Sequence, residues 1–182
     1  MGRGLMILRG RILNPTCREV IYPHEREGTR RLAMHAREVK RRLLWHGILI
    51  VLLGLAVGAL VPELKNPRMG VAAHVGGVMS GMLLLLAGII WEELKLPARA
   101  ARLTFWLFLY ASYTGWLAQF LAAFFGTSWA TPVAGAGHQG TDWQEYLVYF
   151  IAVSFSAAIA AACGFALWGL RKERPTVVAT PE

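Results

Sequence analysis

Charged residues are scarce in this chain. Only 16% of its 182 residues are Asp, Glu, Lys or Arg, whereas soluble domains have about 25%. Hydrophobic residues reach 55%, above the usual share of about 45–50%. The composition therefore excludes an ordinary soluble domain, and it also excludes an intrinsically disordered chain, which would be poor in hydrophobic residues.

Cysteine is scarce as well, because the chain contains only Cys17 and Cys163. Two cysteines so far apart make neither a disulfide framework nor a closely spaced metal site. The sequence also lacks a nucleophile elbow, a P-loop, a dinucleotide fingerprint and an HExxH motif, which disfavours ordinary hydrolase and nucleotide chemistry. No carboxylate interrupts its long apolar runs, so an ion pump or a transporter of charged solutes is disfavoured too.

Basic residues are concentrated at the start of the chain. The net charge is +8, and residues 1–44 contribute +7 of it, with eleven Lys and Arg against four acidic residues. A basic segment just before an apolar run is typical of attraction to anionic lipid and of topology control. Nucleic-acid binding is not expected, because this segment has no interleaved aromatic residues and no recognisable reader motif.

Four runs contain no Asp, Glu, Lys or Arg, and each is close to or above the length of about 20 residues that a helix needs to cross a bilayer. In lipid the backbone must satisfy its own hydrogen bonds, which favours helices. We therefore predict an all-α membrane protein, a bundle of four transmembrane helices. The predicted spans are residues 43–61, 69–91, 103–125 and 147–170.

The predicted organisation has three parts. Residues 1–42 form a basic N-terminal tail that is partly disordered or amphipathic, residues 43–171 form the transmembrane domain, and residues 172–182 form a short C-terminal tail. Seventeen of the 19 basic residues lie in the N-terminal tail, the second loop and the segment after the last span. The excess of basic residues on cytoplasmic segments then predicts that both termini face the cytoplasm.

His74 is the first candidate for a functional residue, since an ionisable group inside a span is costly without a partner or a role. On a helix it shares one stripe with Gly70, Gly77 and Gly81. The spacing favours close helix packing, with His74 bonded across the contact. The other interpretation is a smooth surface for a flat cofactor such as haem, whose iron the imidazole would bind.

The third span combines large aromatic rings with polar groups. An aromatic stripe in a membrane helix is more often packing than a substrate pocket, but Gln119 places an amide deep in the same span. This amide is expected to meet another helix, a water-filled pocket or a ligand. The candidate residues of this span are Tyr110, Tyr113, Trp116 and Gln119.

Other polar residues have simpler interpretations. His46 opens the first span, where solvation at the membrane interface is favoured. Serines within spans, Ser80 and Ser112 among them, can bond a carbonyl one turn back. The long loop 126–146 holds His138 with Asp142 and Glu145. A solvated loop is favoured there over a metal or acid–base cluster.

Several stretches in a fixed order resemble hydroxylaminobenzene mutases, membrane enzymes that rearrange an arylhydroxylamine to an aminophenol. A more distant similarity is to styrene oxide isomerase, a trimeric protein with four spans and haem b. The second similarity rests on His46–Gly47 and on Ala73, His74 and Gly76. The matching stretches are LVPELKNPRMGVAAHVGGVMSGMLLLLAGIIW (60–91), FWLFLYASYTGWLA (105–118), GAGHQGTDWQE (135–145) and LWGLR (167–171).

The resemblance implies roles for individual residues. The haem-ligating histidine of the isomerase falls on His74, its active-site asparagine on Ser80 and its active-site tyrosine on Gln119. The mutase pattern has Asn-Gly where this chain has Ser80–Gly81, and Asn-Trp where it has Gly115–Trp116. The proposed iron ligand is thus kept, while groups that would handle the substrate are changed.

The resemblance further implies an isomerase in a bacterial inner membrane, forming a homo-oligomer such as a homotrimer and acting on a small aromatic substrate. Ferric haem b would serve as its Lewis acid. The alternatives are an aryl epoxide isomerase and a non-catalytic haem or electron carrier, with Met79 or Met82 of another subunit as second ligand.

The implied substrate residues are Ser80, Tyr110, Tyr113, Trp116 and Gln119. The implied haem site comprises His74, Gly70, Gly77 and Gly81, with Asn66 and Arg68 near the propionates.

Overall fold

The structure, a computed structural model, describes residues 23–171, with side chains for Met34 and for residues 36–171. The chain divides into two units after His35. The first part of the predicted basic tail, residues 1–22, and the predicted C-terminal tail, residues 172–182, lie outside the described residues.

The described residues form helices and no strand, which confirms the predicted all-α fold. Four helices are long and apolar enough to cross a membrane, and they confirm the prediction of four transmembrane helices. Short 3-10 turns, Val61–Glu63 and Trp91–Glu93, follow the first two of them. The helices are α1 (Pro23–Leu60), α2 (Pro67–Ile90), α3 (Ala98–Phe125), the short α4 (Pro132–Gly135) and α5 (Asp142–Leu170).

The helix ends follow from local sequence. Asn66 caps α2 by accepting a hydrogen bond from Met69 N, and the proline at the first position of α2 needs no donor there. Gly126 ends α3 with a φ of 73°, a left-handed conformation that favours glycine. Thr141 begins α5 with a reciprocal capping box that involves Gln144. The connections between these helix ends are short, apart from the loop between α3 and α5.

Helices α1 and α2 meet backbone to backbone through glycine. A Cβ atom added to Gly77 would lie 2.7 Å from Gly54 Cα, and one added to Gly81 would lie 2.6 Å from Gly47 O. Neither contact leaves room for a side chain. The stripe on α2 is therefore filled by α1, which corrects the prediction that Gly77 and Gly81 face a haem. Gly70 likewise contacts Leu64 and Val61 and offers no open surface.

A matched pair of substitutions tests this contact. We expect Gly77→Ala to lower the free energy of unfolding by about 1–3 kcal/mol, because the new methyl group overlaps the α1 backbone. A Cβ at Gly164 on α5 would meet nothing within 4 Å, so Gly164→Ala should be neutral or raise stability by about 0.5–1 kcal/mol. Thermal denaturation in detergent measures both. Equal losses in the two variants would contradict the packing described here.

Candidate active site

His74 is held by α1 in a defined orientation. Its Nδ1 lies 2.9 Å from the carbonyl oxygen of Gly54, and because a carbonyl only accepts, Nδ1 carries the hydrogen and donates it. In a neutral imidazole this leaves the lone pair on Nε2. Gly58 makes room for the ring, since a Cβ there would lie 2.5 Å from His74 Nδ1.

This arrangement fits a metal ligand. Histidines that bind a metal through one nitrogen usually donate the other N–H to a carbonyl or carboxylate, which fixes the tautomer and raises the basicity of the ligating nitrogen. The Gly54 carbonyl supplies such a partner for His74. The bond across the helix contact agrees with the packing interpretation of His74, and it leaves Nε2 outside this contact.

Trp116 and Gln119 lie on the face of α3 that meets α2. The amide of Gln119 contacts Gly76, and its Nε2 also donates to Gly115 O at 3.3 Å. Trp116 contacts Gly77 and stacks on Phe120 with ring centroids 5.7 Å apart. Of the three surroundings expected for Gln119, the structure shows another helix. The buried Trp116 Nε1 has no hydrogen-bond partner.

Tyr110 and Tyr113 turn to a different side of α3. Tyr113 Oη lies 2.8 Å from His46 Nδ1 in a hydrogen bond, and Tyr110 Oη donates to Ser154 Oγ at 2.9 Å. Both tyrosines line a pocket of about 410 Å³ that also includes Arg42. His46 therefore has a protein partner beside its partial exposure, and the sequence did not predict this partner.

Ser80 lines a separate cavity of about 400 Å³ between α2, α3 and α5, together with Ser112 and Phe155. The five predicted substrate residues thus fall into three groups. Ser80 is in this cavity, the two tyrosines are in the pocket with His46, and the other two residues pack on α2. The prediction of a single pocket lined by all five is wrong within one chain, because their positions face different neighbouring helices.

The two residues predicted near the haem propionates differ in availability. Asn66 is 0% exposed, caps α2 with its side-chain oxygen and donates its amide to Ala134 O and Gly135 O. Both polar atoms of the Asn66 side chain are engaged in hydrogen bonds within the protein, so the prediction that Asn66 holds a haem propionate is wrong. Arg68 is exposed beside a surface pocket of about 670 Å³ and remains a candidate for an anionic group.

The loop between α3 and α5 folds around Glu145, which is 2% exposed. Its carboxylate accepts from Ser128 N with both oxygens, from Trp129 N and from Gly140 N, each at 3.0 Å. In the part of the chain that the structure describes, no group of three His, Cys, Asp or Glu could hold a metal ion. The alternative of a metal cluster with His138 is therefore wrong, since the carboxylate organises backbone instead.

Comparison with known proteins identifies the family. The family model for styrene oxide isomerase matches residues 39–171. The chain belongs to the styrene oxide isomerase family. Hydroxylaminobenzene mutase HabB of Ectopseudomonas oleovorans is 44% identical to it over 132 residues, which are 72% of this chain and 80% of that protein. Hydroxylaminobenzene mutase HabA of the same organism is 44% identical over 117 residues, 64% of this chain and 87% of that protein.

No solved structure matches the chain. The relatives confirm the resemblance found in the sequence, and they identify this member of the styrene oxide isomerase family as an isomerase. With four helices able to span a bilayer, it is an integral membrane protein.

The sequence did not show the hydrogen bonding of two polar residues of this styrene oxide isomerase family member. His46 bonds to Tyr113, which lies 67 positions further along the chain, and no helical spacing relates two such residues. Ser112 was expected to bond a carbonyl one turn back, yet its hydroxyl has no partner. The only available signals were the His46–Gly47 pair in the resemblance and the position of Ser112 within an aromatic span.

Proposed function

We propose that this isomerase converts arylhydroxylamines to aminophenols in the membrane, with haem b as its cofactor. The observation that carries the proposal is the 44% identity to two proteins named hydroxylaminobenzene mutase. The fixed tautomer of His74 supports the cofactor part of the proposal. We also propose assembly into a homo-oligomer, with a trimer as the form that the resemblance suggests, in a bacterial inner membrane with both termini in the cytoplasm.

The residues that would hold haem are few. His74 would ligate the iron through Nε2, while its Nδ1 stays bonded to the Gly54 carbonyl. Arg68, exposed at the start of α2, is suited to pair with a propionate. Bound in this way, the haem would supply a Lewis acid that polarises the substrate oxygen.

The overall reaction balances without an oxidant or reductant. The N–O bond of the arylhydroxylamine breaks and a C–O bond forms at the ortho carbon. That carbon then loses its proton, and the nitrogen gains one, so the product is an isomer of the substrate. Positive charge spreads over the ring while the N–O bond breaks, and the faces of aromatic side chains can stabilise such charge.

The protein surroundings are suited to an intermediate of this kind. The cavity that holds Ser80 has mainly apolar walls, among them Leu83 and Phe155. Apolar walls exclude the water that would capture a cationic intermediate. The Ser80 hydroxyl can orient the substrate oxygen, which is the role that the resemblance assigns to this position.

A second candidate reaction is the isomerisation of aryl epoxides. It is favoured by one observation, the match of residues 39–171 to the family model for styrene oxide isomerase. In that reaction a C–O bond of the epoxide breaks and a hydrogen shifts to the neighbouring carbon, which gives an aldehyde. The two reactions share the need for polarisation of an oxygen and for a dry pocket.

A direct assay separates the two candidates. Protein purified in detergent is given phenylhydroxylamine or styrene oxide, without a reductant. We expect 2-aminophenol from phenylhydroxylamine, in an amount equal to the substrate consumed, at the same rate in wild type and in Gly164→Ala. Conversion of styrene oxide alone to phenylacetaldehyde would support the second candidate and contradict the first. Turnover of neither compound would contradict both.

A further inference from the structure

The hydroxyl of Ser112 is buried without a hydrogen-bond partner. The residue is 2% exposed, and its Oγ is among the buried polar atoms left unpaired. Leaving a buried hydroxyl unpaired costs about 1–3 kcal/mol, so such a group in a folded protein calls for an explanation. Four other hydroxyls of α3 and α5 do bond a carbonyl about one turn earlier: Thr104, Thr114, Ser154 and Ser156.

Ser112 lies in the wall of the cavity between α2, α3 and α5. This cavity has a volume of about 400 Å³, and Ser80 and Ser112 are the two serines among its lining residues. Pockets for small ligands usually measure about 300–1,000 Å³ and combine apolar walls with a few polar groups. The cavity has both properties.

One wall of the cavity is an aromatic ring in a fixed position. The ring of Phe155 rests on Gly115, where an added Cβ would lie 2.8 Å from the ring. Because α3 has no side chain at this point, the ring lies against the α3 backbone and also lines the cavity. An aromatic ligand can pack against such a ring.

We propose that Ser112 binds the polar group of the aromatic substrate. Rotation of its side chain would turn the hydroxyl from its buried position towards the hydroxylamine oxygen, with the substrate ring placed against Phe155. The choice of ligand rests on the proposed function. A cavity lined by two serines and by apolar residues selects an aromatic compound with one small neutral polar substituent, because a charged substituent would be desolvated without a counter-charge. Ser112 is then a specificity-determining residue beside Ser80.

The Ser112→Ala variant tests this role through two effects of opposite sign. Removal of an unpaired buried hydroxyl should leave the melting temperature unchanged or raise it. The same change should weaken binding of benzyl alcohol about fivefold to tenfold, through loss of one hydrogen bond. Benzyl alcohol is the carbon analogue of phenylhydroxylamine and has no N–O bond to rearrange. Ethylbenzene, which has the same shape without the hydroxyl, should bind wild type and variant equally.

Calorimetric titration at one detergent concentration measures both ligands, and Ser156→Ala is the matched control. Ser156 is exposed on α5, and its hydroxyl is already bonded to Ala152 O, so we expect no change in either affinity. Unchanged benzyl alcohol binding in Ser112→Ala, equal weakening of both ligands, or a lower melting temperature would overturn the proposal.

The outcome is separable from the test of the proposed function. Binding of benzyl alcohol requires no turnover. Ser112-dependent binding in a protein that does not convert phenylhydroxylamine would contradict the proposed reaction and support the binding site. Equal conversion and equal KM in wild type and Ser112→Ala would contradict the binding site and leave the proposed reaction standing.

Discussion

The His74→Ala variant is expected to convert phenylhydroxylamine at least about 1,000-fold more slowly than wild type. The substitution removes the Nε2 lone pair that would ligate iron, and Lewis-acid stabilisation worth several kcal/mol corresponds to about three powers of ten in rate. The variant also loses the bond to the Gly54 carbonyl, so its stability must be measured beside its activity. Initial rates of 2-aminophenol formation provide the measurement.

A His74→Gln variant distinguishes ligation from packing. Glutamine retains an N–H donor for the Gly54 carbonyl but has no imidazole nitrogen. If the only role of His74 is its hydrogen bond across the contact between α1 and α2, this variant keeps its activity. We expect it to melt close to wild type and to be as inactive as His74→Ala. An active His74→Gln variant would contradict the proposed ligand.

The largest effect on stability is expected from Glu145→Ala. The carboxylate accepts hydrogen bonds from the backbone N–H groups of Ser128, Trp129 and Gly140, and without it these donors lose their partner together. We expect a loss of about 3–5 kcal/mol in the free energy of unfolding. For a chain of this size the melting temperature would fall by about 10 °C, as measured by thermal denaturation in detergent.

Asp142→Ala is the matched control on the same helix. Asp142 is an exposed acidic residue in the first turn of α5, where a favourable interaction with the helix dipole is worth about 0.3–1 kcal/mol. Its replacement should change the melting temperature by only a few degrees. A loss as large as that of Glu145→Ala would show that negative charge at this helix end matters, and that the buried hydrogen bonds do not.

The fold was predictable because one physical requirement dominates it. A helix that crosses hydrocarbon needs a long run without charge, and the chain has four such runs in which α1, α2, α3 and α5 are found. The glycine stripe on α2 was also readable as a packing surface. The sequence did not show which helix packs on this stripe, because helical spacing does not indicate the partner of Gly77 and Gly81.

The candidate site was predictable only residue by residue. The cost of burying an imidazole identified His74, but whether its partner was a carbonyl or a metal depends on the distance between two helices. The bond between His46 and Tyr113 and the unpaired hydroxyl of Ser112 depend on packing between distant segments. Glu145 accepts hydrogen bonds from backbone N–H groups of the loop. The loop conformation sets the direction of these groups, and sequence periodicity does not predict it.

The absorption spectrum of the purified protein tests the central claim most directly, namely that His74 holds a haem in this isomerase. We predict a haem Soret band in wild type and in Ser112→Ala, and its loss in His74→Ala and His74→Gln. A colourless wild-type protein that nevertheless forms 2-aminophenol, or a Soret band of equal strength in His74→Ala, would contradict the claim.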